Sequence, residues 1–245
     1  MALKTRVIPV VTHDGLTAVQ TVQFANPRSI GSLQQALSVY ERRCCDELVV
    51  LDIAATPEQR APNLTAVADI ASEIFCPLTI GGGISHSLQG RDLIKNGADK
   101  IVLGRWASPE LVYACSQKLG NQSVTVALDA QPLSERGGGK KWAHTLWARW
   151  VHMMENSGAG EIILTSIERQ GTRSGYDLEL IAKISKAVKI PVIANGGCGR
   201  PEHMVEAIRA GAHAAAAGTM FAFTQWTPKD CAKVLNEAGI PARVD

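Results

Sequence analysis

A carboxylate that ends an apolar run is a simple acid–base device, and Asp129, closing the run Val124–Leu128, has that form. A mechanism that sets acid opposite base would place a second carboxylate after the first strand, where the chain has Thr12. His13 and Asp14 come next but, being adjacent in sequence, project elsewhere. Three glycine-bearing strand ends, Gly81-Gly82-Gly83, Gly196-Gly197 and Gly218-Thr219, offer bare backbone N–H groups. With a helix start beyond them, such ends make a phosphate cradle. Gly171 and Thr172, in the loop Gln170–Gly175, add further anion donors. Tight turns alone would also call for these glycines, and diglycine is a weak signal; their appearance as symmetric sets favours phosphate. A last group, Arg6, Glu47, Lys100 and, from the exit of the sixth strand, Glu168, joins two acids to two bases and can close a ring of ion pairs on a barrel axis. Ordinary rim salt bridges, worth little when exposed, account for the same four residues.

These residues need strands to hold them, and the chain supplies strands at regular intervals. Apolar runs at Arg6–Thr12, Leu48–Ile53, Cys76–Ile80, Lys100–Leu103, Val124–Leu128, Glu161–Leu164, Ile190–Ala194 and Ala214–Ala217 read as eight strands, too apolar to have a wet face. Helical spacing separates them, as at Leu33–Arg43 and Asn63–Ile74, with helix starts at Ser108-Pro109 and Asp177 and a last helix over Pro228–Ala238. The runs repeat: ELVVLDI at Glu47 and EIILTSI at Glu161, the glycine pairs ending at Gly83 and Gly197, and Gly97-Ala98 and Gly211-Ala212 all keep one offset of 114. Two copies of a four-unit module imply one (β/α)8 TIM barrel over residues 1–245, with half-barrels of about 1–120 and 121–245. The segment Thr21–Arg28 is long for a strand-to-helix connection and is expected to cover the barrel mouth. Gln131–Trp142 reads as a flexible loop, and Trp142, Trp147 and Trp150 as helix packing.

The chain has 245 residues, 46% hydrophobic and 20% charged, enough for one sizeable core. A net charge of +2 gives no basic field for nucleic acid, and no run is long and apolar enough for a membrane span. A cytosolic protein is expected. Six cysteines and six histidines show no metal-ligand spacing, so neither a metal nor another cofactor is implied, and the thiols are expected to be reduced and mostly buried.

Arg6–Pro9 (RVIP), Asp46–Ile53 (DELVVLDI), Gly81–Ile84, Gly97–Lys100 (GADK), Gly158–Asp177 and Asn195–Gly199 together resemble the cyclase subunit (HisF) family of imidazole glycerol phosphate synthase, over essentially the full chain. The resemblance implies a barrel that forms a heterodimer with a HisH-like glutaminase docked on its N-terminal face. Ammonia then crosses a gate of four charged residues, mapping onto Arg6, Glu47, Lys100 and Glu168, and reaches a phosphorylated small-molecule substrate. The family's glutaminase-contacting aspartate maps onto Asp99. Of its two catalytic aspartates one is Asp129 and the other falls on Thr12; a substrate-contacting lysine falls on Gln20, and two phosphate-binding residues fall on Gly104 and Arg105. Loss of the first aspartate, with the loop Thr21–Arg28 and Ile30-Gly31, is similar to a branch associated with acetamidino modification of bacterial surface sugars, where an ATP-using amidotransferase often joins the pair. The reading that follows is an ammonia-dependent synthase subunit acting in surface-sugar biosynthesis. The alternatives are the histidine-pathway cyclase itself and a non-catalytic scaffold that activates its glutaminase.

Overall fold

The computed structural model describes residues 4–244 apart from 16, 44 and 132–138. In chain order the elements are β1 (Arg6–His13), β2 (Thr17–Val22), β3 (Ala25–Ser32), α1 (Leu33–Arg42), β4 (Leu48–Asp52), α2 (Leu64–Glu73), β5 (Leu78–Gly81), α3 (Ser87–Lys95), β6 (Lys100–Leu103) and α4 (Pro109–Leu119). They continue with β7 (Val124–Ala130), α5 (Gly139–Asn156), β8 (Glu161–Ser166), α6 (Leu178–Ala187), β9 (Val192–Asn195), α7 (Pro201–Arg209), β10 (Ala214–Ala217), α8 (Thr219–Phe223) and α9 (Pro228–Glu237). Strands β1 and β4–β10 pair in parallel round a closed barrel, β10 returning to β1 from Arg6↔Ala214 to Pro9↔Ala217. Eight parallel strands with alternating helices make a (β/α)8 barrel, as the sequence implies.

Helix starts fall where the side chains dictate. Asn63, Ser108 and Asp177 each accept a backbone N–H from three residues on, and Pro109 follows its cap directly. The long connection after β1 is a hairpin, β2–β3, paired antiparallel with β1 through Thr12↔Val19 and His13↔Ala18. Of the expected loop Gln131–Trp142, residues 132–138 lie outside the described residues, and the chain is helical from Gly139. Trp147 and Trp150 pack on the outer core as expected, while the side chain of Trp142 lies outside the described set. The described cysteines form no disulfide, and all but Cys76 are buried.

Strand alternation divides the core in two. Residues such as Val124, Val126, Ile162 and Leu164 face the helices, while Ile8, Val49, Val102, Ile163, Ile193 and Ala216 fill the barrel interior. Inward residues of alternate strands form layers of four. The strand registers give, from the N-terminal end, Glu47, Lys100, Glu161 and Ala214, then Ile8, Thr79, Thr125 and Ile193, then Val49, Val102, Ile163 and Ala216. Burial of each large aliphatic side chain here contributes roughly 1.5–3 kcal/mol as an upper bound. The same registers set Thr12 and Asp129 on one layer at the C-terminal mouth, on opposite walls.

Candidate functional site

The C-terminal strand ends surround a cavity of about 460 Å³ whose wall includes Thr12, Gln20, Asp52, Gly82, Gly83, Gly104, Arg105, Asp129, Thr165, Gly171, Asn195, Gly196, Gly197, Gly218 and Thr219. Three neighbouring strands build its acid–base group. Register places Asp129, Thr165 and Asn195 side by side on β7, β8 and β9. Asn195 Nδ2 donates to Thr165 Oγ1 at 3.0 Å, which leaves the threonine proton to go to Asp129. By surface area Asp129 is exposed at the cavity mouth, yet its carboxyl is crowded by surrounding protein on the sides away from the opening, and it is this crowding that strips its hydration. This burial pushes the group up to about 6, with the Thr165 hydrogen bond pulling the other way.

Thr12 faces the same cavity and cannot be its partner in proton transfer. Its hydroxyl donates to Val19 O at 2.5 Å, so its proton ties β1 to the hairpin. His13 is held away, its Nδ1 accepting the Gly15 N–H at 3.1 Å, and burial lowers its pKa. Asp52, a second carboxylate on the wall, is already committed: it accepts from Ala54 N and Ala55 N and takes both Arg60 Nη atoms at 2.8 and 3.1 Å. That pairing raises the Arg60 pKa and pins the loop after β4. Among the described wall residues Arg105 is the one basic side chain.

The glycines line the wall for reasons the backbone supplies. Gly83 and its repeat mate Gly197 have φ of 72° and 104°, and a Cβ would lie 2.4 Å from Arg60 O at the first and 2.2 Å from Gly175 O at the second. No other residue fits there, and the N–H groups of these turns are left at the strand ends. Gly171 is held against the hairpin, where a Cβ would meet Thr21 O at 2.4 Å. Thr172 is not on the cavity wall; its hydroxyl donates to Arg169 O at 2.7 Å and lies 2.7 Å from Ser174 Oγ. Gln20, buried on β2, accepts from Thr219 Oγ1 at 3.1 Å and so joins the hairpin to the start of α8.

The hairpin is clasped across the mouth by one side chain. Gln170 Nε2 donates to Thr21 O and Thr21 Oγ1, its Oε1 accepts Phe24 N, and its backbone O accepts Gln23 N. Phe24, at the turn, reaches the cavity wall.

At the opposite, N-terminal face four charges alternate in sign. Arg6 bonds Glu47 at 2.5 Å and also Glu161, while Lys100 bonds Glu47 at 3.1 Å and also Glu161. Thr79 Oγ1 adds a bond to Glu47 Oε1 at 2.7 Å. Burial alone would raise the Glu161 pKa, but the hydrogen bonds and charges of Arg6 and Lys100 bring it below its ordinary value. The expected fourth member, Glu168, is not in the ring. It lies two residues beyond β8, at the cavity end, where its backbone carbonyl accepts Gln23 Nε2 at 3.0 Å. A ring at the strand starts draws on the first residue of β8, Glu161, and the offset of 114 that matches it to Glu47 already marked it. Arg6 fills the seat of Ala214, the repeat mate of Lys100, with which it stands in register. Asp99 is exposed on this face, its Oδ2 accepting Leu78 N at 2.8 Å. The repeat extends to this bond, for Val192 N donates to His213 Nδ1 at 3.3 Å, each residue 114 positions on.

Residues 6–227 match the family model described as "Histidine biosynthesis protein". The imidazole glycerol phosphate synthase subunit HisF of Chlorobium limicola is 37% identical over 250 residues, covering 99% of this chain and all of the relative. That of Thermococcus gammatolerans is 40% identical over 234 residues, 93% of each chain, and that of Prosthecochloris aestuarii is 38% identical over 250 residues. With these matches the chain belongs to the histidine biosynthesis protein family, among HisF relatives.

Proposed function

We propose that this chain is the ammonia-accepting synthase subunit of a two-chain glutamine amidotransferase, and that it carries out the cyclase step of imidazole glycerol phosphate synthase, the enzyme whose HisF subunits its relatives are, in histidine biosynthesis. One observation carries the reading: a closed ring of charge built on two buried glutamates, and a carboxyl that opens on a cavity and forms no ion pair, occupy opposite ends of a single barrel axis. A HisH-like glutaminase docks at the ring face, with Asp99 in the contact, and its ammonia passes the ring into the apolar interior. At the mouth Asp129, with a pKa of about 6, exists in both protonation states near neutral pH and serves as proton acceptor and donor to the reacting substrate. The substrate's phosphates are held by the turns at Gly82, Gly83, Gly104 and Arg105 on one side, and at Gly171, Gly196, Gly197, Gly218 and Thr219 on the other, while Thr172, off the cavity wall, takes no part.

A second reading, nitrogen transfer to a surface-sugar precursor, is favoured by one feature. Thr12 donates to Val19 O and supplies no second carboxylate, so a reaction needing acid opposite base is short of one member. Turnover of the histidine-pathway substrate with ammonium salt, measured on the purified chain without glutaminase, separates the two. Robust turnover establishes the cyclase; none, from a folded chain that binds phosphate, moves the search to sugar acceptors. A pure scaffold would stimulate its glutaminase undiminished and form product at an unchanged rate after Asp129→Asn.

A further inference from the structure

Above the ring of charges the next interior layer holds two polar side chains, Thr79, whose hydroxyl is bonded to Glu47, and Thr125. Thr125 stands between Val124 and Val126, which face the helices, and two residues before Ala127, which packs in the interior; its side chain is therefore on the inward face of β7. Its hydroxyl is fully buried and has no hydrogen-bond partner among the described residues. The other such hydroxyl, Ser185 Oγ, lies on α6 outside the barrel. Buried polar atoms without partners are rare in native proteins because each forfeits its hydration for nothing.

The layer that holds Thr125 also holds Ile8, Thr79 and Ile193, all at most 1% exposed. Thr79 spends its proton on Glu47 Oε1 and keeps lone pairs. Thr125 keeps both its proton and its lone pairs. The two hydroxyls thus offer one donor and several acceptors at a point between the ring below and Val49, Val102, Ile163 and Ala216 above. Two alanines, Ala214 and Ala216, line the β10 side of the interior. A charged guest here would lose its hydration shell and gain only two hydroxyls, whereas a small neutral molecule that both donates and accepts meets complementary groups.

We propose that Thr125 is the anchor of an interior binding position for one small neutral hydrogen-bonding molecule, water or ammonia, directly above the ring. Where the guest is ammonia, the inference rests on the proposed function, and Thr125 is the first polar contact beyond the ring.

The test is a crystal structure of the full chain at a resolution that shows ordered water, alongside T125V and T125S. Expected is a density peak about 2.7–3.2 Å from Thr125 Oγ1, kept in T125S and lost in T125V, with no gain in Tm for T125V. Absence of the peak together with a higher Tm for T125V overturns the proposal, since the valine would then have relieved an orphaned hydroxyl. In complex with a glutaminase, the ratio of glutamine-driven to ammonium-driven turnover separates the guests. A fall of about fivefold in T125V, the rate equivalent of one net hydrogen bond, identifies ammonia; an unchanged ratio with the peak lost identifies water alone. A wild-type chain with no ammonia-dependent turnover under any condition counts against the proposed function, and the density still decides the site.

Discussion

With its carboxyl pushed up to about 6, Asp129 is divided between charged and neutral forms near neutral pH, the condition under which one group can both take and return a proton. Asp129→Asn is expected to lower ammonia-dependent turnover by roughly 10²–10⁴-fold. The same shift has a consequence for stability. Because the folded value lies above the ordinary 3.8, the group favours the fold below that pH, and this contribution is lost as pH rises through about 6. At pH 7 Asp129 therefore weakens the fold, by an amount kept small because the residue is exposed at the cavity mouth and solvent screens its charge, and the Asn variant should melt slightly higher than wild type there, with the difference vanishing below about pH 4. Equal melting temperatures at pH 7 would show that the carboxyl is not held in this way. Asp129 was legible in the sequence as a carboxylate at a strand end. Thr165 and Asn195 were not, because neutral polar residues after apolar runs carry no signal until β7, β8 and β9 lie in register and the hydroxyl meets the carboxyl. Thr12 was legible as a missing acid, but that its proton belongs to Val19 depends on a hairpin the sequence did not announce.

That hairpin escaped notice because its turn breaks the usual chemistry. Val22 pairs with Ala25 across Gln23 and Phe24, whose φ angles are 52° and 60°. A two-residue turn with positive φ at both positions normally carries Asn-Gly or a similar pair, and Gln-Phe gives no such cue. The strain is held from outside by Gln170, which binds both turn amides through its backbone and side-chain oxygens. Gln170→Ala should speed amide hydrogen exchange at Phe24 and through β2–β3 while leaving barrel strands protected; unchanged exchange in the hairpin would sink the clasp. The ring of charges shows the opposite case. Its missing member was readable from the repeat, since Glu161 matches Glu47, but Glu168 carries the same charge and its place along the strand is invisible without the register. Glu47, 2% exposed and bonded to Arg6, Lys100 and Thr79, is the ring residue most costly to lose. Glu47→Gln is expected to cost about 3 kcal/mol in urea unfolding, the low end for a broken buried pair because Glu161 still holds both cations. Glu168→Gln should cost under about 1 kcal/mol. Glu161, held below 4.5 by Arg6 and Lys100 against the effect of burial, adds stability that is present above that pH and lost as pH falls through its folded value.

The two ends of the molecule divide the work, and the barrel keeps them apart. From Thr125, just above the ring, to Asp129 at the mouth is about 13 Å of strand, crossed first by the apolar layer of Val49, Val102, Ile163 and Ala216 and then by the floor of the cavity. Eight strands, their order and the repeat were legible because apolar period and glycine spacing recur along the chain; which side chains meet across the axis was not, because that is fixed by how the sheet closes on itself. Closure has one more effect, on the order in which the molecule forms. The ring's fourth seat is taken by Arg6, from β1, in register with Ala214 of β10, so the ring is incomplete until the first and last strands of the barrel are paired. A contact between segments more than two hundred residues apart carries one of the largest loop-closure penalties in the chain and is expected late on the folding path. Stability gained after the transition state acts on escape rather than on arrival. Arg6→Met should therefore leave the refolding arm of a chevron in place and raise the unfolding rate, by roughly a hundredfold if the ring loses about 3 kcal/mol. On this account the ring of charges at the N-terminal face also acts as the latch of the barrel, setting how long the closed molecule lasts.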